Sequence, residues 1–127
     1  MLNIGLKGKS STIVCENNTA KTMGSGELDV FATPAMIALM EQAAAKSVKE
    51  FLDETQSTVG TLMNVKHLSA SPVGANITAE SEIIEIDRKR LVFCVKAFDN
   101  GGVIGEGIHE RFIIDAEKFM SKTLAKI

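Results

Sequence analysis

One stretch of the chain decides its fold: residues 33–53 read TPAMIALMEQAAAKSVKEFLD. Thr33 is a good N-cap, Pro34 suits the first helical position, and no glycine interrupts the residues that follow. The stretch predicts a helix from Pro34 to about Asp53, roughly 30 Å long. Because so much of its surface is apolar, this helix must be buried, and we expect it to be the central element of the fold.

Beyond the helix, the pattern of apolar residues changes to that of strands. Asn100-Gly101 predicts a hairpin, because both residues tolerate positive φ. Ile13–Cys15 could form an early strand, and Glu117–Lys126 predicts a short C-terminal helix. Four segments rich in Val, Ile, Thr and Phe and bounded by turn signals are predicted strands: Thr58–Ala70, Ala75–Asp87, Leu91–Phe98 and Val103–Ile114.

This order of elements predicts an α+β fold in which an antiparallel sheet wraps around one long central helix. The layout, with its hairpin connections, resembles the hotdog fold. A chain of 127 residues favours a single domain spanning residues 1–127. Many hotdog domains pair their sheets edge to edge, which protects exposed strand edges, so we expect a homodimer.

Composition excludes several classes of function. The 14 basic and 16 acidic residues give a net charge of −2, and the chain has no Trp or Tyr, so neither nucleic acid nor a membrane surface is an expected partner. No segment reaches the roughly 18 apolar residues of a membrane span. Cys15 and Cys94 lack metal-type spacing and are expected to be reduced thiols in a cytoplasmic protein. We expect no metal and no cofactor.

Glu41 is the most informative residue of the helix. On a helical wheel it falls in the middle of an apolar arc, where carboxylates are rarely found without a partner. One interpretation is structural: the carboxylate satisfies a buried donor or lies at a dimer edge. The functional interpretation predicts a raised pKa or a charged hydrogen-bond partner.

His67 is a candidate for that partner, because a carboxylate fixes the tautomer of an imidazole and raises its basicity. The strand pattern places His67 on the same face as Thr61, Met63 and Val65. Alone, a histidine in a strand is more often structural than catalytic. Thr33 is also open to two interpretations: its hydroxyl either caps the helix or points into a pocket as a nucleophile or donor.

The last predicted strand carries Gly105, Gly107, His109 and Arg111 on one face, by the period of two. Glycines inside a strand mark a bulge or a close approach by a ligand or another backbone. Either the sheet curves tightly around the helix here, or the strand forms a narrow groove with His109 and Arg111 at its mouth. The sequence supports both equally.

Taken together, these segments resemble the fluoroacetyl-CoA thioesterase-like family of hotdog proteins. The similarity runs from about Val30 to the C-terminus. It is carried by Phe31–Glu41, by Gly60-Thr61 with His67 and Ala70-Ser-Pro72, by Ile104–Arg111, and by Glu117-Lys-Phe119. The spacings of eight residues from Thr33 to Glu41 and of 26 residues from Glu41 to His67 fit the family pattern.

The resemblance implies a hotdog homodimer that hydrolyses a short-chain acyl-CoA thioester, with coenzyme A as part of the substrate. Thr33, Glu41 and His67 would be the catalytic group. Gly60 would lie beside the thioester, where its amide could bind the carbonyl oxygen, and Arg111 would line the acyl pocket. Thr33 or Glu41 could attack the thioester, or Glu41 and His67 could activate water.

One position departs from the family pattern. The family implies an aromatic lid residue six positions before the threonine, and this chain has Glu27 there. We therefore expect a broader short-chain acyl-CoA substrate and no discrimination for fluoroacetyl groups. Two alternatives on the same fold are a non-catalytic acyl-CoA binding module, in which Glu41 and His67 are structural, and a hydratase acting on an enoyl thioester.

Overall fold

The computed structural model describes all 127 residues. It contains five strands, β1 (Lys7–Ile13), β2 (Gln56–His67), β3 (Asn76–Asp87), β4 (Arg90–Asp99) and β5 (Gly102–Asp115), and the helices α1 (Ala20–Met23), α2 (Thr33–Lys49) and α3 (Ala116–Leu124). The strands form one antiparallel sheet in the order β1-β3-β4-β5-β2, which leaves β2 at a free edge. None of the helices is both long enough and apolar enough to cross a bilayer.

The long helix α2 lies against the inner face of the sheet, which confirms the predicted architecture. Its buried side chains are Met36, Leu39, Met40, Ala43, Ala44 and Val48. They join one core cluster with apolar side chains from β3, β4 and β5, among them Ile83, Phe93 and Ile104. The close spacing of small alanines among larger residues lets the helix approach the sheet.

Both ends of α2 differ from the prediction. The N-cap is Ala32, with no side-chain hydrogen bond, and Thr33 is already helical, so the interpretation of Thr33 as the N-cap is wrong. The helix ends at Lys49 rather than near Asp53, because the next amides bond to carbonyls three residues back, as in Phe51 N to Val48 O. The hydroxyl of Thr33 is therefore free of the helix and available to another group.

The first strand was predicted at Ile13–Cys15 and lies instead at Lys7–Ile13. Its inward positions are small or polar because α2 passes directly over them. A Cβ at Gly8 would collide with the carbonyl oxygen of Ala43. This strand pairs with β3 along its whole length and carries no alternation of large apolar residues.

The predicted hairpin at Asn100-Gly101 is confirmed, since Asp99 and Gly102 pair across it. The expected conformation is wrong in detail. Positive φ occurs at Gly102 (131°) and not at the two residues before it. The side chain of Asn100 instead accepts a hydrogen bond from the backbone N–H of Asn76, at 3.0 Å, and so ties this turn to the start of β3.

The glycines of β5 mark a tight curve of the sheet. A Cβ at Gly107 would overlap the carbonyl oxygen of Asn64 and lie 2.5 Å from the Cα of Val65, both backbone atoms of β2. A Cβ at Gly105 would lie 2.5 Å from the sulfur of Met36. Both glycines thus face protein rather than an open groove, which favours the curvature interpretation over the groove.

We expect Gly107→Ala to lower the free energy of unfolding by about 3 kcal/mol, because the backbone of β2 must move to make room. Urea denaturation monitored by circular dichroism measures this. The control is Gly101→Ala in the β4–β5 turn, where the nearest atom to the added Cβ is a side-chain oxygen of Asp99, 3.3 Å away, and not backbone. Equal stability of the two variants would contradict a close approach at Gly107.

Candidate active site

Two groups of polar side chains lie along the inner side of β2, one at each end of the strand. The first is a hydroxyl–imidazole pair. Oγ1 of Thr33, at the start of α2, lies 2.7 Å from Nδ1 of His67, the last residue of β2. Beside them is a surface cleft lined by apolar side chains that include Val30, Phe31 and Leu68.

Only one of the two ring nitrogens of His67 has a hydrogen-bond partner within the chain. Its Nε2 is buried and has no hydrogen-bond partner within the chain. Burial lowers the pKa of His67, with an opposing contribution from the backbone of Ser69. The imidazole is therefore neutral at pH 7, and its Nδ1 can accept the proton of the Thr33 hydroxyl. A buried nitrogen without a partner is costly, by about 1–3 kcal/mol, and so suggests a group supplied from outside the chain.

The second group centres on an ion pair. Nη1 of Arg111 on β5 donates to Oε2 of Glu41 on α2 at 3.4 Å, and the second carboxylate oxygen accepts no hydrogen bond within the chain. The side chain of Glu41 is 41% exposed, so it lies beside the buried stripe of α2 and not in the middle of it as the helical wheel predicted. The expected charged partner is present, and within one chain it is Arg111 rather than His67.

Arg111 is held firmly by β2. Its Nε donates to Oγ1 of Thr58 at 2.9 Å, and its Nη2 donates to the carbonyl oxygen of the same residue at 3.0 Å. Its side chain is only 9% exposed. Burial lowers the pKa of Arg111 and the carboxylate of Glu41 opposes that shift, yet a guanidinium stays charged in proteins. The cation is thus a fixed positive charge beneath Glu41.

Gly60 packs directly against the ion pair of this second group. A Cβ there would lie 2.6 Å from Oε2 of Glu41 and 3.4 Å from Nη1 of Arg111, so only glycine leaves room for the ion pair. The register between β2 and β5 shifts at Thr61, which is the extra residue of a bulge. The prediction that Thr61 shares a face with His67 is therefore wrong: Thr61 is exposed, and the bulge brings Gly60 to the inner face instead.

His109 lies under the same ion pair. Its Nδ1 is 2.9 Å from the carbonyl oxygen of Leu62, and its Nε2 is 3.2 Å from Nη1 of Arg111. The residue is 1% exposed, and its ring stacks on Phe93 with centroids 6.0 Å apart. Burial lowers the pKa of His109. His109 and Arg111 are therefore buried supports of Glu41 and not residues at the mouth of a groove.

The two groups do not meet within one chain. Thr33 and Glu41 are eight helical residues apart, about 12 Å along the axis of α2. The structure brings together Thr33 with His67, and Glu41 with Gly60 and Arg111.

Thr58, the residue that binds Arg111, was not identified from the sequence. Its signal was weak: a threonine two residues before Gly60 in a strand of otherwise mixed character.

The fold and these two groups define a class, the hotdog-fold thioesterases. A crystal structure described as a thioesterase superfamily member from Thermus thermophilus matches 97% of this chain and 91% of its own with a TM-score of 0.89, at 24% identity, and so supports the fold. The structure of the fluoroacetyl-CoA thioesterase FlK matches 100% of this chain and 98% of its own, with a TM-score of 0.94 and 31% identity.

The particular family follows from sequence comparison. The model of the family described as fluoroacetyl-CoA-specific thioesterase matches residues 14–117. The fluoroacetyl-CoA thioesterase of Streptantibioticus cattleyicolor is 37% identical over 98 residues, which cover 77% of this chain and 70% of that protein. The chain belongs to this thioesterase family, and the predicted resemblance is confirmed.

Proposed function

We propose that this protein hydrolyses the thioester of a short-chain acyl-CoA to a free acid and CoA. The observation that carries the proposal is the contact of 2.7 Å between the Thr33 hydroxyl and Nδ1 of the neutral His67. A hydroxyl that close to an imidazole can be deprotonated as it attacks, or it can orient a water. Thr33, His67 and Glu41 form the proposed catalytic group, as in the prediction from sequence.

The proposed enzyme is a homodimer in which β2 pairs with β2 of a second copy. The free edge of β2 spans 12 residues, and its only ionisable side chains are Lys66 and His67, so little prevents another strand from pairing with it. Leu62 on this edge strand is 44% exposed. A twofold axis makes the two β2 strands antiparallel, so the His67 end of each strand lies beside the Gly60 end of the other.

This arrangement brings the two groups together. Glu41 of one subunit would approach Thr33 and His67 in the other. Its carboxylate would then accept a hydrogen bond from the buried Nε2 of His67, which has no partner within its own chain. One flank of α2 lies on the side of Glu41, and in a single chain its residues Ile37 and Ala45 are half-buried and Ala38 is exposed. A second copy would cover this apolar flank, which further supports the dimer.

The proposed reaction follows from these groups. An oxygen from the Thr33 hydroxyl, from the Glu41 carboxylate, or from a water activated by Glu41 and His67 adds to the thioester carbonyl carbon. Backbone amides, among them that of Gly60, stabilise the negative charge that develops on the carbonyl oxygen. The C–S bond breaks and CoA leaves. If Thr33 or Glu41 attacked, water then hydrolyses the acyl group from that residue, so in every route one water molecule supplies the hydroxyl of the free acid and the proton of the CoA thiol. Arg111 is proposed to line the base of the acyl pocket beneath Glu41, whose carboxylate it orients through the contact at 3.4 Å.

The proposed substrate range is broad among short acyl groups. Glu27, at the position where the family pattern implies an aromatic lid, is exposed on the loop between α1 and α2, and so is the neighbouring Leu28. An exposed carboxylate does not close an apolar lid over the acyl group.

The reaction as proposed needs no metal or cofactor. We place the protein in the cytoplasm, in keeping with the free thiols of Cys15 and Cys94.

Purified protein is expected to release free CoA from acetyl-CoA and from other short acyl-CoAs, detected with a thiol reagent against a blank without substrate. Size-exclusion chromatography with light scattering is expected to give twice the chain mass of 13.6 kDa. Saturable binding of acyl-CoA without any release would instead favour the non-catalytic binding module. No release and no binding would contradict the proposal.

A further inference from the structure

A continuous chain of hydrogen bonds lies beneath Glu41. The carbonyl oxygen of Leu62 contacts Nδ1 of His109 at 2.9 Å, Nε2 of His109 contacts Nη1 of Arg111 at 3.2 Å, and Nη1 contacts Oε2 of Glu41 at 3.4 Å. All four residues lie on β2, β5 or α2, so regular elements hold them. The chain joins the carboxylate to the backbone of the bulged strand.

The partners of His109 fix its tautomer. A carbonyl oxygen can only accept a hydrogen bond, so Nδ1 of His109 must carry the proton that it donates to Leu62. A guanidinium can only donate, so Nε2 must present its lone pair to Arg111. Both contacts therefore require the neutral ring with its proton on Nδ1. Either the imidazolium or the other tautomer would place an N–H against an N–H of Arg111.

Nη1 of Arg111 contacts both His109 and Glu41, so the contact with His109 affects the position of the ion pair. Thr58 holds the far side of the guanidinium through Nε and Nη2. Nη1 has two N–H bonds, and one points to His109 while the other points to Glu41. Because the guanidinium is planar and rigid, fixing both sides sets where Nη1 meets the carboxylate. Oε1 of Glu41 stays free for the reaction.

The bulge of β2 makes this geometry possible. Thr61 is the extra residue, and its hydroxyl donates to the carbonyl oxygen of Glu110 at 3.2 Å on the neighbouring strand. The register shift lets Gly60 face Glu41 while the carbonyl of the nearby Leu62 reaches the ring of His109. Bulges that redirect groups in this way are common beside active sites.

We propose that His109 is a positioning residue: as the neutral tautomer protonated at Nδ1, it holds Nη1 of Arg111 on Oε2 of Glu41. This inference rests on the proposed thioesterase function for its effect on turnover. The tautomer itself does not depend on any activity. His109 is 1% exposed, so we expect it to act through the placement of Arg111 and Glu41.

The tautomer is measured directly by two-dimensional ¹H–¹⁵N NMR of the imidazole rings at pH 7 in the intact protein. The chain has only two histidines, so the spectrum of His67→Ala assigns the remaining ring to His109. We expect a protonated Nδ1 and an unprotonated Nε2 for His109. A ring protonated at Nε2 or at both nitrogens would overturn the proposal.

Two amide variants separate the positioning role from a structural one. In His109→Asn the side-chain amide takes the place of Nδ1 of the histidine. Its nitrogen can still donate to the carbonyl oxygen of Leu62, but the shorter side chain does not reach Arg111. In His109→Gln the amide oxygen takes the place of Nε2 and can accept a hydrogen bond from Nη1 of Arg111. We expect kcat of the Asn variant to fall by about tenfold or more, and Gln to restore most of it, with KM changing less than kcat.

The outcomes distinguish this inference from the proposed function. Equal kcat for folded Asn and Gln variants, matched by thermal melting, would mean that His109 is only structural. Wild-type protein that releases no CoA would contradict the proposed function, while the NMR result would still decide the tautomer. If the variants fail to fold, the tautomer measured in the wild-type protein decides the proposal.

Discussion

Glu41→Gln is expected to lower kcat by about a hundredfold or more, the contribution typical of positioned acid–base groups. Glutamine has nearly the same shape, so Gly60 still leaves room for it, but it lacks the charge that Arg111 binds at 3.4 Å. It can neither act as a base nor attack the thioester. The loss follows whether the carboxylate is the nucleophile or activates water. Release of CoA from acetyl-CoA at saturating substrate measures it.

The matched control is Glu50→Gln. It makes the same substitution in an exposed residue at the C-cap of the same helix, and we expect kcat within about twofold of wild type. Thermal melting of both variants checks that they fold. Activity of Glu41→Gln equal to that of Glu50→Gln would mean that Glu41 is structural, as in a binding module.

His67→Ala is expected to have an effect of similar size, because it removes the base that lies 2.7 Å from the Thr33 hydroxyl. Protonation of His67 removes the lone pair that accepts the Thr33 proton, and within one chain burial lowers the pKa of this imidazole. We therefore expect kcat of the wild type to fall as the pH is lowered toward 5. The pH profile of kcat from pH 5 to 8 measures this.

Lys9→Ala, on the opposite edge of the sheet, is the control for His67→Ala and should leave kcat within about twofold of wild type. Thr33 and His67 act as a pair, so the double variant Thr33→Val with His67→Ala should be little worse than either single variant. A His67→Ala variant with wild-type turnover would contradict a catalytic role for the imidazole.

Much of the fold could be predicted because it depends on large apolar residues. The run from Pro34 to about Asp53 predicts a buried helix, and the four segments rich in Val, Ile, Thr and Phe after it predict the four long strands. Strand β1 could not be placed in the same way. Its inward residues, such as Gly8 and Ser10, are small because the helix lies on them, and small polar residues leave no hydrophobic period.

The site was predicted residue by residue but not as an arrangement. Thr33, Glu41 and His67 stand out by type and spacing, yet spacing along a chain does not say which side chains touch. The bulge at Thr61 illustrates the reason: one extra residue moves Gly60 to the inner face, and a strict period of two cannot foresee it. The pairing of Arg111 with Glu41 depends on that shift.

We propose above all that Glu41 of one subunit completes the Thr33–His67 pair of the other. Co-expression of differently tagged Glu41→Gln and His67→Ala chains, followed by purification on both tags, yields the mixed dimer. One of its two sites then has an intact Thr33, His67 and Glu41, and we expect about half the wild-type kcat per dimer. A mixed dimer as inactive as its two parents would contradict the claim.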